Sequence, residues 1–347
     1  MRAARLHAVG DLRLTDEPIP VPGPGESLVR VTAVGICGSD LHWWGEGGIG
    51  DATLSRPLVL GHEAAGVIAD GPRQGERVAI DPAIVDGTCR LCLEGYRNLC
   101  LHIRFAGHGG QDGAMREYLA WPSELLHPLP DELSDAGGAI LEPLGVAIHA
   151  ADLGHLKLAG TAAVVGCGPI GLLLCQLLQV AGAGSVIAFE PLPHRRAAAA
   201  ALGVTAVDPG LAADSTALAE LTGGGVDVVF EIAGTDPAVQ LAMDAARPGG
   251  RVVLGGIPDQ DSTTFRASTA RRKGLTIAMV RRMNEVYPRA IGLAAAQRLD
   301  LAGLVSARYP LEKAAEAFGA AVARTGLKVI VEPTSGGLRG VAPPGQH

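Results

Sequence analysis

Three groups of residues in this 347-residue chain have the types and spacing to do chemistry. In the first, Cys37 lies in GICGSDLH, His62 lies in GHEAAG with Glu63 beside it, and Glu142 lies in ILEPLGVAIHA. Thiolate, imidazole and carboxylate are the donors of catalytic zinc, which keeps one coordination position open for water or substrate. An isolated cysteine or histidine is more often buried or structural. Here each motif sits between glycines near an expected strand end, where backbones crowd close and side chains converge. The second group is Asp86, Cys89, Cys92 and Cys100, in DGTCRLCLEGYRNLC. Three thiolates and a carboxylate, with Cys-x2-Cys at their centre, make a closed tetrahedral zinc site, structural rather than catalytic. The plainer alternative is three reduced cysteines on a polar, glycine-broken loop.

The third group is Gly166-Cys167-Gly168-Pro169-Ile170-Gly171, a GxGxxG run between a strand pattern and a helix pattern. Gly166 permits the tight turn, Gly168 lets backbone approach a pyrophosphate, and Gly171 allows helix and strand to pack closely. The helix that opens at Pro169 and Ile170 offers free amides and a positive dipole end. Such a run alone is weak in a chain with 48 glycines. It gains weight from Glu190, at the end of the next strand pattern, where an acid binds the adenosine ribose hydroxyls. A carboxylate there repels a 2′-phosphate, so NAD is the expected cofactor. Arg195 and Arg196 keep NADP open, since arginine accommodates that phosphate; their plainer reading is a solvated helix face, with one against the adenine.

The elements that must hold these groups fall into two styles. The first 145 residues or so read as β-rich, with LVRVTAV, GVIAD and RVAID broken by Gly, Pro and Asp turns. From about 161 short apolar strands alternate with helices: TAAVVG, PIGLLLCQLLQVAG, SVIAFE, HRRAAAAALG, VTAVD, a helix near 214–222, VDVVFEIAG, a helix near 236–247, and RVVLGG. This alternation predicts a doubly wound parallel sheet, whose strands are uniformly apolar because helices cover both faces. After about 283 the pattern weakens. RYPLEKAAEAF reads as a strand end leading into a helix, and the tail SGGLRGVAPPGQH as frayed.

Composition narrows the partners. With 48% apolar and 19% charged residues the chain has ample material for a core, built of small aliphatics because aromatics reach only 3%. A net charge of −7 argues against nucleic acid or an anionic membrane, both of which need basic patches. The first residues lack the apolar run of a signal peptide, and no apolar stretch is long enough to span a bilayer. A soluble cytoplasmic protein is expected, in which the six cysteines serve metal binding or burial rather than disulfides.

Together these motifs resemble the zinc-containing medium-chain dehydrogenases, most closely the sorbitol dehydrogenase and L-idonate 5-dehydrogenase branch. The likeness runs from GICGSDLHWW and PLVLGHEAAGVI through ILEPLGVAIHA to GCGPIG and RYPLEKAAEAF. It implies an α/β chain in two parts: a GroES-like β-rich catalytic domain over 1–145, to which 283–347 returns, and a Rossmann NAD-binding domain over 146–282. The active site would lie in the cleft between them. The resemblance makes Cys37 and His62 zinc ligands, Glu63 a third ligand or near-ligand, and Glu142 either a ligand or the holder of the metal's water. Asp40 would orient His62 through its far ring nitrogen. Ser39 and His42 match the proton-relay positions, although a packed or surface histidine is the plainer reading of His42. Trp43, Phe105 and Arg282 fall where side chains line the substrate pocket, with Arg104 less securely placed. Two departures stand out: Asp86 replaces the usual first cysteine of the structural set, and the segment between Ile68 and Val78 is short.

The activity implied is oxidation of a secondary hydroxyl of a polyol or sugar acid, of the sorbitol, xylitol or L-idonate type, to a ketone, with hydride passing to NAD. A small molecule is the only partner expected besides copies of the chain, as a dimer or homotetramer. Arg282 or Arg104 would pair with a sugar-acid carboxylate, leaving polyol and aldonate evenly matched. Butanediol, L-threonine and glucose dehydrogenases are rivals in the same family; the threonine enzymes usually carry Asp-Pro where this chain has Glu142-Pro143. A zinc-free quinone reductase or redox-sensing binding protein is the rival from outside, and it would not need Cys37, His62, Glu63 and Glu142 together.

Overall fold

Val29, Val31 and Ala33 alternate with Arg30 and Thr32 in the strand Glu26–Gly35, and the alternation buries one side of it. In the computed structural model, which describes residues 1–212, 214–259 and 261–334, this strand is central to a seven-stranded sheet. The order is Leu126–Pro128, Arg77–Ile80, Glu63–Ile68, Glu26–Gly35, Lys328–Glu332, Val305–Pro310, with Tyr118–Pro122 also paired to Glu26–Gly35. Residues beyond 300 therefore return to the first sheet: Ile330 and Val331 pair antiparallel with Gly35 and Val34. The tail expected to fray, 335–347, lies outside the described residues.

The second sheet has six strands, all parallel, in the order Thr205–Val207, Ser185–Phe189, Thr161–Val165, Val226–Glu231, Ala246–Leu254, Thr276–Met279. The chain starts at the third position, runs outward, then crosses back to the other side. Dinucleotides bind at the point where strand order reverses in such sheets. Ala162, Ala163 and Val164 are wholly buried, as expected for a strand covered on both faces. The α/β architecture read from the sequence is thus borne out. Its sixth strand, Thr276–Met279, went unread: it has four residues, is mostly exposed, and follows the basic run Arg271–Lys273.

The helix Asp135–Gly154 connects the two bodies. It is apolar almost all round, and Ser134 caps it by accepting from the Gly137 amide at 3.1 Å. Ala136 and Ala139 pack on Ala33 and Ile330 of the first sheet. Ile140, Leu144 and Ile148 join the core around Val164, Leu173 and Leu177 of the second. Among the described residues no helix is long and apolar enough to cross a membrane.

Candidate active site

Cys37 follows the strand Glu26–Gly35 and is the residue from which the helix Gly38–Glu46 starts. Asp40, in the first turn, is fully buried and accepts from two backbone amides, Cys37 at 2.9 Å and Gly61 at 3.1 Å. It thereby straps the loop that carries His62 to the loop that carries Cys37. Asp40 Oδ1 lies 3.5 Å from His62 Nδ1, and Ser39 Oγ lies 3.5 Å from Nε2 on the other side of the ring. The donor atoms of Cys37, His62 and Glu63 fall within 4.8 Å of one another. Burial opposes a charge on His62, but Asp40 and Cys37 beside it carry the ring's pKa well above its ordinary value.

Glu63 already has a partner. Lys328 Nζ donates to both of its carboxylate oxygens, at 2.8 and 2.7 Å, and to the Ile36 carbonyl at 3.1 Å. Both residues are buried, so this pair is held in a medium where either charge alone would be costly. Lys328 was invisible to motif reading, because 265 residues separate it from Glu63. Glu142, by contrast, makes no hydrogen bond or ion pair among the described residues, and it stands outside the 4.8 Å grouping. Burial pushes its carboxyl up to about 7, with His62 opposing and Glu63 adding to the rise. The Cys37 thiol, the His62 imidazole and the Glu63 carboxylate, with the buried Glu142 carboxyl near His62, are a donor set that fits zinc.

In the helix Gly38–Glu46, His42 Nδ1 bonds Glu46 Oε1 at 3.0 Å, one turn on. Ser39 and His42 are three residues apart and share a face, with Ser39 at His62 and His42 nearer the surface. Phe105 stands 5.3 Å from the His62 ring, and the Arg282 guanidinium lies 4.3 Å from the Phe105 centroid. Phe105 and Arg282 line a cavity of about 340 Å³ together with Ile103, Arg104, His108, Gln111 and Arg281. Trp43, expected at this wall, is buried behind it and donates its indole N–H to His108 Nδ1 at 3.2 Å. His108 was not singled out from sequence, since a lone histidine in GHGG carries no spacing signal. Burial, then Arg282 and Arg281, lowers its pKa to about 4, which keeps Nδ1 free to accept that bond. Burial also lowers Arg282, to about 10.

The glycine run sits at the strand-order reversal. Gly166 has φ 96°, and a Cβ on Gly171 would come 1.9 Å from the Gly166 carbonyl oxygen, so a side chain would break the turn. Glu190 is buried and accepts from the amides of Cys167 at 2.7 Å and Leu192 at 2.9 Å, holding the loop from beneath. Neither arginine is simply solvated. Arg195 Nη2 donates to the Gly326 carbonyl at 3.4 Å, and Arg196 Nη1 donates to the carbonyls of Glu190 and Pro191 at 2.7 and 2.9 Å.

Asp86, Cys89, Cys92 and Cys100 also bring donor atoms within 4.8 Å of one another, and all six cysteines of the chain are free thiols. Asp86 accepts from the Cys89 and Thr88 amides, and these bonds hold its carboxyl well below the usual range. Three thiols and an ionised carboxylate converging without disulfides again fit zinc.

Family models match both parts of the chain: an alcohol dehydrogenase GroES-like domain at 23–131 and a zinc-binding dehydrogenase domain at 169–296. A sorbitol dehydrogenase from Bacillus subtilis is 34% identical over 96% of this chain and 97% of its own length. The solved L-idonate 5-dehydrogenase of Escherichia coli is similar with a TM-score of 0.89 at 27% identity, covering 96% of this chain and 98% of that one. A putative zinc-binding dehydrogenase from Sinorhizobium meliloti, solved bound to NADP, is 33% identical with a TM-score of 0.87 over 96% and 99% of the two chains. The chain belongs to the zinc-containing medium-chain dehydrogenases, in their polyol dehydrogenase branch.

Proposed function

We propose that this chain oxidises a secondary hydroxyl of a polyhydroxylated substrate to a ketone with NAD, and that it prefers sugar acids to neutral polyols. One observation carries that preference. Arg104, Arg281 and Arg282 all line the cavity beside His62 and Phe105, and none has a carboxylate partner among the described residues. Three unpaired guanidinium groups facing one cavity favour an anion, which they bind through paired N–H donors.

Cys37, His62 and Glu142 would hold the catalytic zinc, with Glu63 kept beside it by Lys328, and Asp86, Cys89, Cys92 and Cys100 would hold a second, structural ion. Bound zinc supplies a Lewis acid that lowers the pKa of a substrate hydroxyl, and NAD supplies the hydride acceptor. Asp40 fixes the His62 ring. Ser39, against that ring, receives the hydroxyl proton, and His42 with Glu46 passes it outward. Phe105 and Arg282 close the cavity to water and orient the substrate. Gly166, Gly168, Pro169, Ile170 and Gly171 present helix amides to the pyrophosphate. The oxygens of Glu190 keep spare lone pairs for ribose hydroxyls. The Glu190 carboxylate repels a 2′-phosphate, and Arg196 is engaged by the carbonyls of Glu190 and Pro191 and by Asp208 at 3.1 Å, which supports NAD over NADP. We read the working form as a homo-oligomer, dimer or tetramer, in a cytoplasm that keeps its free thiols reduced.

The test is kcat/KM with NAD and with NADP over matched substrates: L-idonate and gluconate, sorbitol and xylitol, and 2,3-butanediol. The expected result is about tenfold or more in favour of the acids with NAD, the worth of one charged hydrogen bond. Equal rates on acids and polyols would remove the arginines from substrate binding. A preference for butanediol would move the chain to that rival activity.

A further inference from the structure

The cysteine lobe packs on a short strap, residues 281–286, which also forms a wall of the substrate cavity, and its Asn98 lies 3.5 Å from His149 Nε2 on the helix Asp135–Gly154 as well. Asn98 lies between Cys92 and Cys100 in sequence, is buried, and donates Nδ2 to the Arg281 carbonyl at 2.9 Å. Asn284 Nδ2 donates back to the Gly95 carbonyl at 2.8 Å, and Arg97 pairs with Glu285 at 3.4 Å. On the far side, Met283 and Val286 press on the helix Asp135–Gly154 so closely that a Cβ on Gly145 would sit 2.4 Å from the Met283 sulfur. The strap is thus clamped between the lobe and the helix that carries Glu142.

Inside the clamp the backbone is strained. Arg282 and Glu285 have φ of 53° and 51°, the left-handed region that non-glycine residues rarely adopt. Such conformations persist only where surrounding contacts over-determine them. The turn at Arg282 is also what sets its side chain over Phe105. The lobe has little core of its own: between 86 and 100 only Cys92, Asn98 and Cys100 are buried. The order of Gly95–Asn98 therefore depends on the cross-link that a metal on Asp86, Cys89, Cys92 and Cys100 would make.

We infer that the cysteine lobe is a buttress of the substrate pocket, and that Asn98 is a positioning residue which holds Arg281 and Arg282 toward the substrate through the strap. This rests on the reading of the cavity as the substrate site. When the lobe contacts are lost, Arg282 relaxes out of its left-handed turn and its guanidinium leaves Phe105. Substrate affinity is lost while the His62 site and the cofactor loop stay intact.

The experiment compares wild-type holoenzyme with Asn98→Ala and Asn284→Ala by hydrogen exchange and by steady-state kinetics. Amide exchange in 279–287 is expected to rise about tenfold in each variant. KM for the sugar acids should rise about tenfold, with kcat and NADH affinity within about twofold of wild type. Cys92→Ser should raise strap exchange in the same way, tying the effect to the metal set. Unchanged strap exchange in Asn98→Ala overturns the buttress. So does a loosened strap that leaves KM unmoved. Should wild type oxidise none of the panel substrates, the proposed activity fails, and strap exchange still decides the buttress.

Discussion

The guanidinium carbon of Arg282 sits 4.3 Å from the centroid of the Phe105 ring, and the two side chains together line one wall of the cavity. The contact holds a half-buried cation beside the space next to His62. Arg282→Leu keeps the apolar cover and removes the charge. It should lower kcat/KM for sugar acids by about 10- to 100-fold and for neutral polyols by less than about threefold, as measured on the matched panel. Equal losses on both classes would mean that Arg282 holds Phe105 rather than the substrate.

Lys328 is the buried counter-charge of Glu63. Lys328→Met leaves a carboxylate in an apolar place, which costs on the order of 3–5 kcal/mol. A large drop in the thermal midpoint is expected, largely recovered in the double variant Lys328→Met/Glu63→Gln. A double variant no more stable than the single one would show that the lysine acts through packing instead.

His108 adds an acid limb to stability. Its pKa in the folded chain is about 4, below the ordinary value of 6.5, so the unfolded chain binds more protons between those values. Stability should fall as pH drops from about 6.5 toward 4, because a charge on this ring must be buried beside Arg282 and Arg281, and protonation at Nδ1 also ends the bond from Trp43. Urea unfolding at pH 7 and pH 5 measures the slope, and His108→Asn should flatten it. An unchanged slope would assign the acid limb elsewhere.

Metal content separates the two donor sets. Elemental analysis of wild type should give two zinc ions per chain, and Cys37→Ser should give one with activity lost. Asp86→Ala should give one with activity kept in part. A single zinc that survives Cys37→Ser would leave the His62 site empty and end the proposed mechanism.

What the sequence disclosed was whatever is local along the chain. The glycine run, GHE and Cys-x2-Cys are spacing signals a few residues long, and the βα alternation after 161 follows from apolar periods. What it withheld depends on chain closure. Lys328 reaches Glu63 across 265 residues, and Asn98 reaches Arg281 across 183. No period records either meeting. Trp43 shows a related limit: adjacency to the Cys37 motif suggests the pocket, and the structure buries its ring with the indole N–H on His108, which lines the cavity. The strand Thr276–Met279 was lost because four residues at a sheet edge carry too little apolar pattern to stand out.

The return of Lys328–Glu332 to the first sheet has a consequence for synthesis. On the ribosome the strands through Ile80 emerge early and can pair, but Glu63 waits for its cation until residue 328 has left the exit tunnel. The glycine loop and its sheet are complete by Met279 and can fold before that. A prematurely terminated polypeptide would therefore keep a nucleotide fold and leave the Glu63 carboxylate without its counter-charge.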